Sequence, residues 1–289
     1  MCRILLAFVI STAAAGNVAA ALTLTDDSGR EIRLNGPAQR IISLSPHITE
    51  LLFAAGAGER IVGTVRFSNY PEQAETIPRI GDTYNLDIER IIGLKPDIII
   101  LWQSGTRNAA IEAIEKTGFP VFYSEPRSLQ SIADTILNFG RLAGTQPAAK
   151  ESSARFTKRL SNLRSAYMHK RPVRVFYQFW HEPIFTVNGE HLINRAIALC
   201  SGINVFEELA SLTPRVDRES VLQQNPEVII ASGENESRPP WLDEWRQWPE
   251  IAAVRDGHVY FIPPDLLLRH TPRILDGAEK MCGFIEQAR

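Results

Sequence analysis

The chain has 289 residues, of which 44% are hydrophobic and 22% are charged, and its formal net charge at pH 7 is −2. This composition is ordinary for a globular protein, and the length allows two modest hydrophobic cores. The nearly balanced charge argues against nucleic acid or an anionic membrane surface as a partner.

The N-terminus has the pattern of a secretory signal peptide. A single basic residue, Arg3, precedes an apolar run at residues 4–10, and small residues at 18–20 suit a cleavage site. The run is too short to span a membrane as a helix. We therefore expect residues 1–20 to be removed and the mature chain to be exported. Cys2 precedes the run and no cysteine follows the cleavage region, so a lipid-anchored form is not expected.

The following residues predict alternating strands and helices. An opening hairpin is expected around the turn residues 26–29. After it, apolar runs and helical periodicity predict further elements in chain order: a strand at 40–44, a helix from 45 towards 56, a strand at 61–65, and helices at 107–117 and 128–142.

A helix followed by a buried strand occurs twice, at residues 87–100 and 217–230. Asp87 and Asp217 suit the N-cap position, because an aspartate oxygen there can accept an unpaired amide proton. Pro96 and Pro226 end the two helices, and each is followed by an apolar strand typical of a parallel sheet covered on both faces. A chance match of two common helix-strand joints is the alternative interpretation.

The repeat predicts an α/β fold with two Rossmann-like lobes and a ligand cleft between them, since ligands of such sheets bind beyond the carboxyl ends of the strands. Residues 147–172 instead predict one long amphipathic helix, the natural connector. We expect lobes at 21–146 and 173–289, with only modest closure on binding.

Aromatic side chains follow several predicted strands, where they would face the cleft. Such rings offer flat apolar surface with little rotamer entropy to lose, although each alone could equally pack in a core. The candidates are Phe67, Tyr84, Trp102, Trp180 and Phe185.

Motifs of nucleotide binding, serine hydrolysis or zinc proteolysis are missing from the sequence. His47, His181 and His270 lie near predicted strand ends and could ligate a transition metal. Solvated histidines, or ones bonded to a carbonyl, are the commoner alternative. We predict no catalytic residue and no resident cofactor or metal, and keep His47 and His181 as metal-ligand candidates.

Two cysteines, Cys200 and Cys282, remain after removal of the signal peptide. In an oxidising compartment we expect them to form a disulfide, and two buried free thiols are the alternative.

Several segments together resemble the periplasmic cobalamin (vitamin B12)-binding proteins of ABC importers, within the helical-backbone (class III) substrate-binding family. The similarity extends from about Arg40 to the C-terminus. The segments are RIISLSPHITELLFAAG at 40–56, NYP at 69–71, NLDIERIIGLKPDIIILW at 85–102, QFWHEPIFT at 178–186, ALCSGINVF at 198–206 and RHTPRIL at 269–275.

The resemblance implies roles for individual residues. Phe67, Tyr84, Trp102 and Phe185 match corrin-contacting aromatics, and Asp265 and Arg269 match polar contacts on the second lobe. Glu89 and Glu219 match exposed glutamates that dock on a permease dimer, and Cys200 and Cys282 match a disulfide. The chain departs from the pattern at Thr213, where the cobalamin binder has tryptophan, and at Trp180, which could supply a substitute surface.

The resemblance implies a periplasmic, monomeric binding protein that captures cobalamin or a related corrinoid and delivers it to the permease dimer of an ABC importer. The altered pocket leaves haem or a ferric siderophore as alternative metal-chelate ligands. A metal-dependent periplasmic enzyme using His47, His181 and His270 is a further alternative.

Overall fold

A computed structural model describes residues 21–82 and 85–289. The predicted signal peptide at 1–20 and the candidate Tyr84 lie outside the described residues. Within the described part of the chain, no helix is long and apolar enough to cross a membrane.

The N-terminal lobe is built on a four-stranded parallel sheet with the order β4-β3-β5-β6, preceded by an antiparallel hairpin of β1 and β2. The strands are β1 (Leu22–Thr25), β2 (Glu31–Leu34), β3 (Ile41–Ser43), β4 (Ile61–Thr64), β5 (Ile98–Trp102) and β6 (Val121–Ser124). The helices are α1 (Pro46–Ala54), α2 (Ile88–Gly93), α3 (Asn108–Glu115) and α4 (Leu129–Ala143).

The C-terminal lobe repeats this design. Its parallel sheet has the order β8-β7-β9-β10, so in both lobes the second strand lies at one edge, then the first, third and fourth. The strands are β7 (Val173–Gln178), β8 (Gly202–Asn204), β9 (Val228–Ala231) and β10 (Val259–Phe261). A long helix, α5 (Gln146–Tyr167), precedes them, and the lobe's helices are α6 (Leu192–Leu199), α7 (Arg218–Gln224), α8 (Ala252–Arg255) and α9 (Ile274–Gln287). The predicted fold class is confirmed.

The sequence repeat corresponds to α2–β5 in one lobe and α7–β9 in the other. Asp87 caps α2 because its side chain accepts a hydrogen bond from the backbone N–H of Arg90 at 2.9 Å. Asp217 caps α7 in the same way and accepts from the backbone N–H of Ser220 at 2.8 Å. Further on, the two lobes share a contact between the repeat and the first strand of the sheet. In each lobe an arginine there donates to a backbone carbonyl at the end of the repeat helix. Arg40 donates to Leu94 and Arg174 donates to Gln224, each at a distance of 2.6 Å.

Helix α5 packs on both lobes. Its buried side chains include Phe156 and Leu160, and it lies along α4, where a Cβ added at Gly140 would come within 2.2 Å of Ala149. Arg159 reaches α9 of the other lobe and binds Asp276 at 2.7 Å. These contacts on two sides make α5 a stiff connector. The lobe boundaries given above remain predictions.

The predicted disulfide joins Cys200, at the end of α6, to Cys282 in α9, with the Cα atoms 4.8 Å apart. Both side chains are fully buried. The link closes a loop of 82 residues within the C-terminal lobe and confirms the expected pairing.

Candidate ligand-binding cleft

The predicted site residues follow the carboxyl ends of parallel strands. Trp102 is the last residue of β5, Trp180 follows β7 by two residues, and Asp265 lies in a short 3₁₀ helix after β10. His47 enters the first turn of α1 after β3, where Pro46 suits the first helical position because it lacks the amide proton that would be unpaired there. Both sheets therefore direct side chains into the gap between the lobes.

A buried carboxylate joins the lobes at one end of the cleft. Glu50 of α1 has a side chain that is 2% exposed, and it accepts from Arg269 at 2.9 Å and from Arg273 at 2.6 and 2.9 Å. Burial lowers the pKa of Arg273, but Glu50 and Asp265 outweigh it, and the net effect is a raised pKa. Burying these charges is tolerated because they are paired and hydrogen-bonded.

Arg269 makes further contacts at this junction. It binds Asp265 at 2.8 Å within its own lobe, and donates across the cleft to the Asn69 side chain at 2.8 Å and to the Phe67 carbonyl at 3.2 Å. The predicted pair Asp265 and Arg269 is thus close to Phe67, as a shared site requires. In this structure, however, the guanidinium bridges the two lobes.

Phe67 has a side chain that is largely exposed to solvent. Its side chain is 68% exposed, and its backbone φ of 66° is in the left-handed region, which is uncommon for a bulky residue. Such strain at an exposed aromatic marks a candidate functional position. Tyr70 lies nearby with the guanidinium of Arg273 3.9 Å above its ring.

Trp102 forms the floor of the cleft with two histidines from opposite lobes. Its ring centroid is 5.1 Å from that of His47, in an edge-on contact, and 6.0 Å from that of His270. The indole N–H donates to Glu125 at 3.3 Å, which fixes the ring. A third histidine, His191, has its ring centroid 6.5 Å from that of His270.

Burial keeps these histidines neutral. Desolvation, reinforced by the neighbouring His270 and Arg269, holds the pKa of His47 well below its usual value. Burial and then His270 lower the pKa of His191 to about 4, and burial lowers the pKa of His270 although Glu125 and the Pro126 carbonyl oppose it. At neutral pH their nitrogens are available as neutral donors or acceptors.

The C-terminal lobe contributes a second aromatic group on a hairpin after β7. Trp180 and Phe185 form an antiparallel bridge, Trp180 is 40% exposed, and its indole N–H donates to the Glu182 carbonyl at 3.2 Å. Phe185 is half-buried and stacks on Phe179 with the ring centroids 6.0 Å apart. These two rings can present apolar surface towards a ligand.

The other candidates lie away from the cleft floor. His181 stacks on Trp241 with the centroids 5.5 Å apart, and its Nε2 is 3.6 Å from Glu244, all within the C-terminal lobe. Within the described ranges 21–82 and 85–289, no group of three or more histidine, cysteine, aspartate or glutamate residues is arranged to hold a metal ion. Glu89 and Glu219 are exposed in the first turns of α2 and α7.

The sequence reasoning missed Glu50, Arg273, His191 and Tyr70. Glu50 could have been noticed as the one charged residue in an otherwise uncharged α1, and Arg269 and Arg273 as two cations four residues apart in the sequence. Their pairing, 219 and 223 residues apart in sequence, has no local signal.

A cavity of about 1040 Å³ lies beside the cleft. It is lined by the end of α1, by α5 and by Tyr70, and includes Phe53 and Phe156. Its arginines are already paired, Arg155 with Glu151 and Arg159 with Asp276. Four of the predicted aromatics are described by the structure, and none of these four lines the cavity: Phe67, Trp102, Trp180 and Phe185. We therefore place the candidate site in the cleft and not in this cavity.

Comparison with known proteins identifies the family of this chain. A family model described as periplasmic binding protein matches residues 41–266, most of the chain. The chain belongs to this family. The family is described as one of binding proteins.

Individual relatives cover nearly the whole chain. A vitamin B12-binding protein of Vibrio cholerae serotype O1 is 35% identical over 254 residues, which are 88% of this chain and 91% of the relative. A vitamin B12-binding protein of Yersinia pestis is 32% identical over 245 residues, which are 85% of each chain.

Solved structures show the same architecture. The periplasmic vitamin B12 binding protein BtuF of Vibrio cholerae matches with a TM-score of 0.80 and 34% identity, over 87% of this chain and 98% of that one. The periplasmic heme-binding protein RhuT from Roseiflexus matches with a TM-score of 0.76 at 21% identity, over 87% and 100% of the two chains. The latter likeness concerns the fold alone.

Proposed function

We propose that this chain captures cobalamin or a closely related corrinoid in the cleft between its lobes and delivers it to the permease of an ABC importer. The observation that carries the proposal is the similarity over 85–88% of this chain, at 32–35% identity, to proteins named as vitamin B12 binders. The signal-like residues 1–20 fit export to the periplasm.

The chemistry of the cleft supports a large, flat, mostly apolar ligand. Phe67 on one lobe and Trp180 on the other are both exposed, and Trp102 lies between the lobes. Burying exposed aromatic surface against a ligand supplies affinity, while a few polar groups fix its orientation. Arg269, which donates to the Phe67 carbonyl, and its partner Asp265 supply polar groups at this end of the cleft. Capture and release need no covalent step, so we propose a binding protein without catalytic activity.

Glu89 and Glu219 are the proposed contacts with the permease. They occupy equivalent positions in α2 and α7, one on each lobe, and both are exposed. Two matched acidic positions suit a partner with two-fold symmetry and basic residues.

Binding is tested by tryptophan fluorescence. Titration of the purified chain with cyanocobalamin should quench the emission and saturate at one ligand per chain, because Trp102 and Trp180 are proposed contacts of the corrin. Hemin and a ferric hydroxamate are the comparison ligands. Saturable quenching by either of them, without any by cyanocobalamin, would identify a different metal-chelate carrier and contradict the proposal.

Delivery is tested by charge reversal. Glu89→Lys together with Glu219→Lys should abolish corrinoid uptake by cells while the affinity of the purified chain stays that of the wild type. Lysine substitution at two other exposed glutamates, Glu112 and Glu208, one on each lobe, is the matched control and should leave uptake intact. Loss of ligand affinity in the docking variant would contradict the assigned role.

A further inference from the structure

Among the residues that the structure describes, two buried imidazole nitrogens at the floor of the cleft have no hydrogen-bond partner. They are Nε2 of His47, on α1 of the N-terminal lobe, and Nδ1 of His270, on the C-terminal lobe. The ring centroids are 5.9 Å apart. Buried polar atoms are nearly always paired, so a pair of unsatisfied nitrogens at a binding cleft requires an explanation.

His47 has the arrangement of a metal-ligating histidine. Its residue is only 5% exposed, and its Nδ1 is held by the Ser45 hydroxyl at 2.7 Å. Metal-bound histidines almost always engage their second nitrogen in this way, which fixes the ring and its tautomer. In the tautomer whose Nδ1–H donates to the Ser45 hydroxyl, Nε2 carries a free lone pair. Burial keeps the ring neutral, as a ligand must be.

His270 is less suited to the same role. Its unpartnered nitrogen is Nδ1, which lies next to the ring carbon that carries the side chain and is hindered from approaching a large macrocycle. His181 is excluded by position, since it stacks on Trp241 away from the floor.

The coordination number also limits the kind of metal. The described parts of the chain, 21–82 and 85–289, hold no group of three ligating residues, so a bare ion would be poorly bound. A metal chelate is different, because its macrocycle already fills the equatorial positions. Such a metal needs only an axial donor, and one imidazole is enough.

We propose that Nε2 of His47 is an axial ligand to the cobalt of corrinoids whose cobalt carries only water at one face. This inference rests on the proposed function and specifies a ligand class within it. The imidazole lone pair forms the cobalt–nitrogen bond, the bound water leaves, and the proton stays on Nδ1 against Ser45. An imidazole–metal bond is about 2 Å long. The corrin would therefore occupy the space next to His47 where the His270 ring now lies.

The test uses diaquacobinamide, in which water occupies the axial positions, beside cyanocobalamin, in which both positions are filled. After reduction to cobalt(II), electron paramagnetic resonance of the complex should show each cobalt line split into a triplet by one nitrogen. Protein grown with histidine labelled with the heavy nitrogen isotope should give a doublet instead. This change would show that the nitrogen belongs to a histidine side chain and not to the buffer.

Variants identify which histidine is responsible. His47→Ala should remove the splitting and weaken diaquacobinamide binding at least about tenfold more than it weakens cyanocobalamin binding, the minimum loss typical of groups that support a metal. The splitting should persist in His270→Ala and in His191→Asn.

Two results would overturn the inference. One is an absence of nitrogen splitting in the wild type, and the other is splitting that survives His47→Ala. If the same samples bind cyanocobalamin, only the role of His47 fails and the proposed function stands. If they bind neither corrinoid, the proposed function fails and this inference fails with it.

Discussion

Replacement of Glu50 by glutamine should destabilise the protein far more than an equivalent change at the surface. The Glu50 side chain is 2% exposed, and its partners Arg269 and Arg273 are 13% and 17% exposed. Removing one partner of a buried ion pair leaves an uncompensated charge and costs about 3–5 kcal/mol. Arg269 retains Asp265 at 2.8 Å, and an amide oxygen can still accept one hydrogen bond, so we expect the lower end, about 3 kcal/mol.

The assay is urea unfolding followed by both circular dichroism and tryptophan fluorescence, with linear extrapolation to water. Glu151→Gln is the matched control, because Glu151 is 74% exposed, pairs with Arg155 four residues on, and should lose no more than about 0.5 kcal/mol. Equal losses in the two variants would refute the reasoning that the Glu50 cluster holds the lobes together.

Further predictions concern the cleft, the histidines and the disulfide. Phe67→Ala should raise the Kd for cyanocobalamin about 5- to 30-fold. Full burial of such a ring is worth about 1.5–3 kcal/mol, and 68% of the side chain is exposed before binding. An unchanged Kd, measured by calorimetry, would remove Phe67 from the site. The free energy of unfolding should fall as the pH drops from about 6.5 to 4, and His191 should account for up to about 3 kcal/mol of that fall, since the unfolded chain protonates His191 near 6.5 whereas its folded pKa is about 4. His191→Asn keeps the N-cap acceptor for Ile193 and should flatten this pH dependence, and a slope equal to that of the wild type would contradict the assignment. Loss of the disulfide in Cys200→Ser with Cys282→Ser should cost about 4–5 kcal/mol, as expected for a loop of 82 residues; unfolding curves identical with and without the bond would contradict this.

Local signals in the sequence predict much of the fold. The capping aspartates Asp87 and Asp217, with a proline a few residues after each helix, reveal equivalent units, and the structure confirms them as the third strand of each sheet with its helix. These features depend on neighbours a few residues apart, which is why a single sequence displays them. The cysteine pair is predictable for a different reason, because the oxidising compartment leaves few alternatives.

The cleft is less accessible to sequence reasoning. Trp102 and Phe67 could be assigned to the site from their places after strands, but the contact of His47 with His270 brings together residues from opposite lobes. The bridge from Glu50 to Arg269 likewise spans 219 residues. Such contacts depend on how the two sheets face each other, and no periodicity or motif encodes that arrangement.

The crystal structure of the chain with cyanocobalamin tests the central claim most directly. We expect the corrin to lie between the lobes, with Phe67, Trp102 and Phe185 against it and with the Arg269 guanidinium turned towards it. A corrin bound instead in the cavity lined by Phe53 and Phe156, or on the outer surface of one lobe, would contradict the account.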